Sequence, residues 1–394
     1  MSPADQTGGV FEIRTAADED WRAISRVDTQ AFGYTMSQEE EDRVRSMIDL
    51  PRFRIAVDRG EVVGVAGSYE LHMTMPGGRP LPTGGVTWVS VAVTHRRQGV
   101  MSQLLGAVHD DIRARGEPLA ALTASEGGIY ERLGYGVATR RRVTSIDRRA
   151  AHVQEPFAAP PGSVRIVDRV AARPRLMALW DRYRATRAGE IDRPERWWIV
   201  NEAEHPHMVH AVHDDGFVAW RTEPAWHDGH PRHELFVTTM AAVTPAAHLA
   251  LWSTVLALDL VGTITSTALA PDDPLAFLLT NQRVVRTTDL NDGVWCRPLD
   301  VAACFRARAY GTDADVVVEA EGNRWRIGAA GVAKVRSRAD LVTDLAGLGA
   351  LLLGGVAPTT LAAGRRLEAR DAKALRRADA VFRIFPDPYL QTGF

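Results

Sequence analysis

Cysteine and lysine are both scarce in this chain of 394 residues. The two cysteines, Cys296 and Cys304, are too few and too isolated for a disulfide scaffold or a zinc site. We therefore predict that both are small buried residues in a protein of a reducing compartment. Only two lysines stand against an abundance of arginine, and because base composition of a gene explains such a bias, we infer no function from it.

Long apolar runs are also missing. The longest apolar stretch, residues 345–358, contains four glycines and is shorter than the roughly 20 residues that a membrane span needs. A basic N-terminal segment followed by an apolar run, the sign of a secretory signal peptide, is not present. The net charge of −2 argues against a nucleic-acid-binding protein. We expect a cytoplasmic protein with no membrane or nucleic-acid partner, although secretion without a signal peptide stays open.

The length and composition predict several globular domains. A chain of this length is too long for one core, and 45% hydrophobic with 24% charged residues is typical of globular proteins. The proline-rich segment around 155–162 is the clearest linker. The strand and helix patterns predict an α/β (α+β) protein with a first domain over 1–150, a linker over 151–162, a second domain over 163–294 and a third over 295–394.

Three secondary-structure predictions bear on these boundaries. A strand over 139–148 is expected to complete the first domain, and the third domain is expected to begin near Trp295. Within the third domain, helices are predicted over 339–345 and 372–380.

A strand, a basic turn and a helix follow one another over residues 87–112. The free N–H groups and the dipole of a helix N-terminus favour an anion. Glycine in the turn allows close backbone approach, and arginine supplies charge-assisted hydrogen bonds. This pattern predicts a pyrophosphate site made by Arg96, Arg97, Gln98, Gly99, Val100, Met101 and Ser102.

The turn is neither a P-loop nor a dinucleotide-binding loop, because it has a single glycine and no Gly-Lys-Ser/Thr. Arg96-x-x-Gly99 instead resembles the acyl-CoA loop of the GNAT N-acetyltransferases, although Met101 departs from the small residue usual there. The segment ASEGGIYERLGYG, residues 124–136, resembles a narrower group, the enhanced intracellular survival (Eis) family. This resemblance covers the whole chain.

The Eis resemblance implies the fold and the assembly. It implies tandem GNAT-like domains, the second degenerate because it lacks the basic turn, followed by a sterol-carrier-like C-terminal domain. It also implies acetyl-CoA as co-substrate and a homo-hexamer. Lipid carriage by the third domain, and a catalytically inert acyl-CoA sensor, are the alternatives.

The strand before the turn is expected to hold the thioester arm. In the GNAT fold it splays from its neighbour, so the backbone of Val91, Ala92 and Val93 is expected to pair with the pantetheine. A backbone N–H there would bond the thioester oxygen, a contribution typically worth roughly 10²–10³ in rate. Ser125 would bond near the pantetheine or position a water, or else simply cap the strand end.

Tyr130 is the predicted general acid, because a phenol with a pKa of about 10 suits the protonation of a leaving thiolate. The alternative is a packing aromatic, a role that we assign to Tyr135. No histidine lies near the turn in the sequence except His95 and His109, and His109 is expected on the solvent side of its helix.

The C-terminus supplies the predicted general base. Residues 385–394 contain two prolines, three aromatics and one charged side chain, so we expect this tail to dock rather than fray. The resemblance implies that the Phe394 carboxylate is the base. Its reference pKa of about 3.5 is low for this role, and burial would raise it. The alternative is a tail docked only for stability.

Phe32 falls where the family places an aromatic residue of the acceptor site, and it would offer a cation a π face. Its alternative role is a core aromatic that closes a helix. The family kinship implies an acceptor amine on an aminoglycoside-like small molecule or on a lysine. The histidines between 205 and 233 lack ligand spacing, so we predict surface histidines and no metal.

Overall fold

In a computed structural model, residues 11–155, 157, 159–160 and 162–394 are described, so the predicted linker lies partly outside the described residues. The N-terminal part alternates strands with helices along the chain. Its strands are β1 (Glu12–Thr15), β2 (Phe53–Asp58), β3 (Glu61–Thr74), β4 (Pro80–Val91), β5 (Leu119–Thr123), β6 (Gly136–Val137) and β7 (Arg140–Asp147). Its helices are α1 (Trp21–Phe32), α2 (Gln38–Met47), α3 (Val100–Ala114) and α4 (Gly127–Tyr130).

The middle part repeats this alternation. Its strands are β8 (Arg165–Val167), β9 (Val209–His213), β10 (Gly216–Glu223), β11 (Trp226–His227), β12 (His230–Pro231), β13 (His233–Ala242), β14 (Val261–Ser266), β15 (Val285–Asp292) and β16 (Val294–Pro298). Its helices are α5 (Arg169–Arg184), α6 (Glu195–Glu204), α7 (Pro245–Leu256) and α8 (Leu275–Leu278).

The C-terminal part forms a smaller α/β unit. Its strands are β17 (Asp315–Ala320), β18 (Asn323–Gly328), β19 (Gly331–Lys334), β20 (Leu341–Val342) and β21 (Glu368–Ala369). Its helices are α9 (Val301–Arg306), α10 (Leu345–Leu352), α11 (Pro358–Ala363) and α12 (Ala372–Phe382). These strands make one five-stranded sheet in the order β19-β18-β17-β20-β21.

Short polar residues start many of the helices. The side chains of Ser37, Thr244, Asp300 and Asp371 each accept a backbone N–H at the start of α2, α7, α9 and α12. In α2 the Glu40 carboxylate also accepts the backbone N–H of Ser37. The acidic residues Glu39, Glu40 and Glu41 therefore belong to the first turn of α2.

The two large sheets exchange strands. The first has the order β1-β2-β3-β4-β5-β16-β6 and the second has β15-β7-β14-β13-β10-β9-β8. The strand predicted to complete the first domain, β7, therefore lies in the second sheet, where Ile146 pairs with Ile264. The segment near Trp295, where the third domain is predicted to begin, forms β16, which lies in the first sheet and pairs with β5. Both placements from sequence are wrong.

The predicted helix over 339–345 is also wrong. Residues 341–342 form the short strand β20, and α10 begins only at Leu345. Every residue of α10 after Leu345 is buried, so this helix has no polar face that would mark its period in the sequence. Gly349 is needed there because a side chain would collide with the Cys296 carbonyl. Cys296 and Cys304 are both buried and free, as predicted.

Strands β4 and β5 start parallel and then diverge. They pair only through Thr83, Gly84 and Gly85, although β4 continues to Val91. A bulge opposite Ala66 puts Trp88 at a φ of +54°, and the Trp88 ring packs against Phe53. Beyond Gly85, the edge of β4 that faces β5 has no strand partner in the described part of the chain. No helix among the described residues is long and apolar enough to cross a membrane.

Candidate active site

A cavity of about 1170 Å³ opens where β4 and β5 diverge, beside the N-terminus of α3, and we call it the loop cavity. Helix α3 positions the basic turn because its apolar face, from Val100 to Ile112, is buried against the first sheet. The predicted site residues that line the loop cavity are Phe32, Val91, Arg96, Arg97, Gly99, Val100, Met101, Ser102, Ser125 and Tyr130.

The basic turn has the backbone geometry of an anion site. Arg97 and Gly99 both adopt left-handed conformations, with φ of +64° and +84°. Gly99 is the residue before α3, so the N–H groups of the first helical turn have no partner within the helix. Within the described residues, Arg96 and Arg97 make no ion pair or side-chain hydrogen bond, so both guanidinium groups are available to a bound anion.

Arg132 is a third cation of the loop cavity, and the motif analysis missed it. It lies on the turn that follows α4 and, in the described part of the chain, it has no carboxylate partner. In the sequence it is a single arginine without a motif, and only the fold brings it to the lining of the same cavity as the basic turn.

Three predicted cofactor residues lie outside the lining of this cavity as far as the chain is described. The N–H of Ala92 donates to the Val63 carbonyl at 2.9 Å, so it is already satisfied by β3. Val93 is 76% exposed on a short turn after β4. The Gln98 amide donates to the Thr94 carbonyl at 3.1 Å and stabilises the turn itself. The splayed part of β4 therefore runs from the residue after Gly85 to Val91, and Ala92 and Val93 lie beyond it.

Tyr130 stands at the C-terminal end of α4, with 6% of its surface exposed. Burial, followed by the nearby Glu126 carboxylate, raises the pKa of its phenol above the ordinary value, so the phenol holds its proton at neutral pH. Its ring packs edge-on against Tyr135, which is fully buried. The Tyr130 hydroxyl has no hydrogen-bond partner among the described residues, which leaves its proton available to a ligand.

The C-terminal residue lies at the fork between β4 and β5. The Thr123 hydroxyl at the end of β5 donates to a carboxylate oxygen of Phe394 at 3.0 Å. The Phe394 ring lies beside Gly85, the last β4 residue that pairs with β5, where a Cβ would be only 3.1 Å from the ring. Phe394 also lines a second cavity of about 380 Å³, which we call the tail cavity.

The tail reaches this fork along the second sheet. Strands β13 and β14 also start parallel and stop pairing at Val237. Beyond that point, the Gln391 side chain accepts from the Met240 N–H at 3.0 Å and donates to the Met240 carbonyl at 3.1 Å. The Tyr389 hydroxyl donates to the carbonyl of Thr267, just after β14, at 2.6 Å. The chain's own tail thus occupies the gap between the diverging strands of the second domain.

Two residues next to this gap form hydrogen bonds to the tail. The carboxylate of the fully buried Glu190 accepts the backbone N–H of Gln391 at 3.0 Å. The Arg193 guanidinium donates to the Thr392 hydroxyl at 2.7 Å. Phe385, in contrast, is 87% exposed, so docking of the tail begins only after it. The prediction that the whole segment 385–394 docks is therefore wrong at its first residue.

Two histidines are placed differently from their predictions. His109 is buried rather than solvent-facing, and its Nε2 lies 2.7 Å from the Tyr135 hydroxyl. His210, predicted on the surface, is also buried, and burial lowers its pKa to about 4. Among the described residues, no group of three potential ligands is arranged to hold a metal ion.

A buried carboxylate near the loop cavity was also missed. Asp28 accepts from the Ser90 hydroxyl at 2.5 Å and from the Tyr34 hydroxyl at 2.7 Å. Burial raises the pKa of Asp28, although both hydrogen bonds favour its ionised form. Because both oxygens are engaged, Asp28 orients Ser90 on the cavity wall and is poorly suited to accept a proton from a ligand. Phe32 is 51% exposed, so it is not a core aromatic.

These residues fit an acyl-CoA. Its phosphates are suited by a helix N-terminus and by three guanidinium groups that have no ion-pair partner in the described part of the chain. The unpaired edge of β4 suits a pantetheine arm, which pairs with backbone like an added strand. The phenol of Tyr130 lies in the wall of the same cavity.

The chain matches families of known proteins in three successive regions. Residues 12–138 and 189–298 each match a family described as an acetyltransferase (GNAT) domain, and residues 301–391 match the sterol carrier protein domain. The predicted fold class, with two GNAT domains before a sterol-carrier-like domain, is confirmed.

Similar proteins cover almost the entire chain. The N-acetyltransferase Eis of Mycobacterium tuberculosis is 34% identical, over 96% of this chain and 97% of its own length. An uncharacterized N-acetyltransferase of Streptomyces avermitilis is 30% identical, over 97% and 99%. The crystal structure of Eis1 from Mycobacterium abscessus superposes with a TM-score of 0.90 at 32% identity, covering 97% of this chain and 100% of that one. The chain is an acetyl-CoA-dependent N-acetyltransferase and belongs to the Eis family of GNAT enzymes.

Proposed function

We propose that this enzyme transfers the acetyl group of acetyl-CoA directly to a primary amine, without an acyl-enzyme. In this mechanism the basic turn, with Arg96 and Arg97, binds the pyrophosphate. The amine nitrogen forms the new C–N bond as the C–S bond breaks. The Phe394 carboxylate takes the proton that the ammonium group loses before attack and later releases it to water. Tyr130 gives its proton to the departing sulfur, and the second proton that the nitrogen loses as the amide forms reprotonates the Tyr130 phenolate. The products are an N-acetylated amine and CoA thiol.

The observation that carries this proposal is the convergence of Tyr130 and Phe394 on the end of β5. Thr123 holds the Phe394 carboxylate, and Ser125, two residues later, lines the loop cavity with Tyr130. The acid and the base therefore approach the diverging strands from two cavities. In this proposal the thioester arm lies on one side of the diverging strands and the amine on the other, so that the reactants are oriented before reaction.

Two acceptor classes follow from the family kinship: an aminoglycoside-like polycation and a lysine side chain. In the same proposal, Phe32 contacts the acceptor, and the enzyme assembles as a homo-hexamer in the cytoplasm. Light scattering of the purified protein would test the assembly. An inert acyl-CoA sensor is disfavoured, because it would need neither the phenol of Tyr130 nor an ordered Phe394 carboxylate.

The direct experiment is an assay of thiol release from acetyl-CoA with a panel of primary amines. We expect amine-dependent release by the chain that ends at Phe394, and at least about a hundredfold less after extension of the C-terminus by a few residues. The extension replaces the carboxylate with a neutral amide, which cannot accept a proton. Equal turnover at equal melting temperatures would show that the base lies elsewhere, for example in a water held by Ser125.

A further inference from the structure

The last residue of the chain is held at two points. The Phe394 ring lies beside Gly85 and packs against the core cluster that contains Leu71, which fixes the side chain. The carboxylate accepts the Thr123 hydroxyl at 3.0 Å. At Gly393 a Cβ would have no atom within 4 Å, so the preceding residue is not held by packing on that side. The direction of the carboxylate therefore depends on Thr123.

The Phe394 carboxylate has a neutral partner. In the part of the chain that the structure describes, it makes no ion pair, and the Thr123 hydroxyl is its hydrogen-bond donor. Arg193, a cation that contacts the tail, donates instead to the Thr392 hydroxyl at 2.7 Å.

A neutral donor suits a carboxylate that has to accept a proton. A cation within a few ångströms would favour the ionised carboxylate and lower its pKa further, although the reference pKa of a chain terminus is already only about 3.5. A hydroxyl group can orient the same carboxylate at a smaller loss of basicity, since it carries no charge. The choice of donor is therefore consistent with a base and not with a terminus held only for stability.

The position of Thr123 follows from its strand. It is the last residue of β5, where its backbone pairs with Val294 of β16, so its Cα is fixed by the first sheet. Its branched Cβ restricts rotation about χ1, which gives the hydroxyl a preferred direction. Ser125, two residues later, lines the loop cavity, so the hydroxyl of Thr123 lies where β4 and β5 diverge.

We propose that Thr123 is a positioning residue of the acetyl transfer, which holds one oxygen of the Phe394 carboxylate so that the other faces the acceptor amine. Thr123 itself gains and loses no proton in this role. The inference rests on the proposed function, because it requires that Phe394 is the base. It assigns a task in the reaction to a residue that has no motif of its own.

The first test compares two substitutions of Thr123. Thr123→Val keeps the shape and the strand preference of threonine and removes the hydroxyl, so kcat should fall by about tenfold while acetyl-CoA affinity stays unchanged. Thr123→Ser keeps the hydroxyl and should retain kcat within about threefold. Thr123→Ala repeats the loss of the hydroxyl with a smaller side chain.

The measurements are thiol release from saturating acetyl-CoA, with kanamycin, spermidine and 2-phenylethylamine as amine probes, and calorimetry of acetyl-CoA binding. Thr15→Val is the matched control, because Thr15 is an exposed threonine at the end of β1, an edge strand of the same sheet. Unchanged melting temperatures would show that all variants are folded.

The second test links Thr123 to the carboxylate through a double-mutant cycle. In a chain extended beyond Phe394, the carboxylate is replaced by an amide, so Thr123 has no base to orient. Thr123→Val should then lower the remaining turnover by no more than about twofold. A tenfold loss in the extended chain would show that Thr123 acts independently of the carboxylate, and it would overturn the proposal.

The outcomes separate this inference from the proposed function. If the extension lowers turnover and Thr123→Val does not, Phe394 stays the base and the role of Thr123 is overturned. Equal losses in Thr123→Val and Thr123→Ser would also overturn it, because the hydroxyl would then not matter. If the extension has no effect, or if none of the three amines releases thiol, the proposed function fails and the positioning role fails with it.

Discussion

At the scale of single residues, Tyr130 differs from the nearby Tyr135 in the hydrogen bonding of its hydroxyl. Tyr135, five residues away, satisfies its hydroxyl with His109, whereas the Tyr130 hydroxyl faces the loop cavity without a partner in the described part of the chain. Burial keeps the Tyr130 phenol protonated at neutral pH. Both tyrosines are buried, and the hydroxyl that faces the cavity is what fits Tyr130, rather than Tyr135, for the proposed role of proton donor.

Tyr130→Phe should lower kcat by roughly 10²–10⁴ and leave acetyl-CoA affinity nearly unchanged, because general acid catalysis acts in the transition state. Stopped-flow measurement of thiol release, together with calorimetry of acetyl-CoA binding, checks both quantities. If kcat stays within a factor of three, the thiolate leaves without a proton from Tyr130.

The double variant Arg96→Ala/Arg97→Ala should weaken acetyl-CoA binding by at least about tenfold, because it removes two charge-assisted contacts to phosphate. Arg113→Ala is the control, since Arg113 lies at the far end of α3 and pairs with the exposed Asp110. Isothermal titration calorimetry measures all three proteins. Equal affinity of the double variant and the control for acetyl-CoA would mean that the pyrophosphate does not bind at the basic turn.

Sequence reasoning found the residues of the loop cavity because they are local in the chain. The basic turn lies within one strand–helix–strand unit, Ser125 and Tyr130 follow directly after it, and local patterns specify such units. It misplaced His109 because a histidine on an amphipathic helix is polar by type, and only the fold supplies the Tyr135 hydroxyl that lets it be buried. Arg132 and Asp28 were missed for the same reason, since neither has a motif.

At the scale of elements, most helices and strands are predictable and their partners are not. Strand β7 carries an ordinary strand pattern, and nothing within it says that Ile146 pairs with β14 rather than with the first sheet. Strand β16 pairs along one edge with β5 and along the other with β6. Both of these neighbours are more than 150 residues away in sequence. Pairing over such separations depends on tertiary packing, which a local pattern does not contain.

The gaps between diverging strands in the two GNAT domains have different uses. The gap between β4 and β5 borders the loop cavity, whereas the gap between β13 and β14 is filled by the tail through Gln391 and Tyr389. The amide of Gln391 pairs with both backbone groups of Met240, as an added strand would. In the second domain, the surface that would hold a thioester arm instead holds the segment that delivers Phe394.

Gln391→Ala should therefore lower kcat by roughly tenfold to a hundredfold without changing acetyl-CoA affinity, because a small displacement of Phe394 removes the base from its working position. Phe385→Ala is the matched control on the same tail, since Phe385 is 87% exposed. Kinetics of both variants, with melting temperatures, would separate positioning from stability. A loss of the same size in the control would mean that the whole tail, rather than the Gln391 contact, sets the rate.

At the scale of the whole molecule, Glu190 joins three parts of the chain. Its backbone carbonyl accepts from Thr74 at the end of β3, its side chain accepts from Gln391 of the tail, and it lies within the second GNAT match. Burial raises the pKa of Glu190 from 4.5 to about 7, even though Arg193 and Arg187 lower it in part. One carboxylate oxygen of Glu190 is buried without a hydrogen-bond partner among the described residues.

The raised pKa of Glu190 makes the free energy of unfolding depend on pH in a defined direction. Between pH 4.5 and 7 the folded state holds a proton on Glu190 that the unfolded chain releases, so the free energy of unfolding falls as pH rises through this range. Above pH 7 both states are ionised and the contribution becomes constant. Below pH 4.5 both are protonated, and the stabilising contribution is fully present.

Glu190→Gln should abolish this dependence, because glutamine keeps an oxygen that can accept the Gln391 N–H and has no proton to lose. The stability of the variant relative to the native chain should rise from pH 5 to pH 8, by at most about 3 kcal/mol for the full shift. Denaturant unfolding at several pH values measures it, with the exposed Glu204→Gln as the control. A difference that does not change with pH would mean that Glu190 ionises as easily in the folded protein as in the unfolded chain, and that its contact with the tail is made by a charged group throughout.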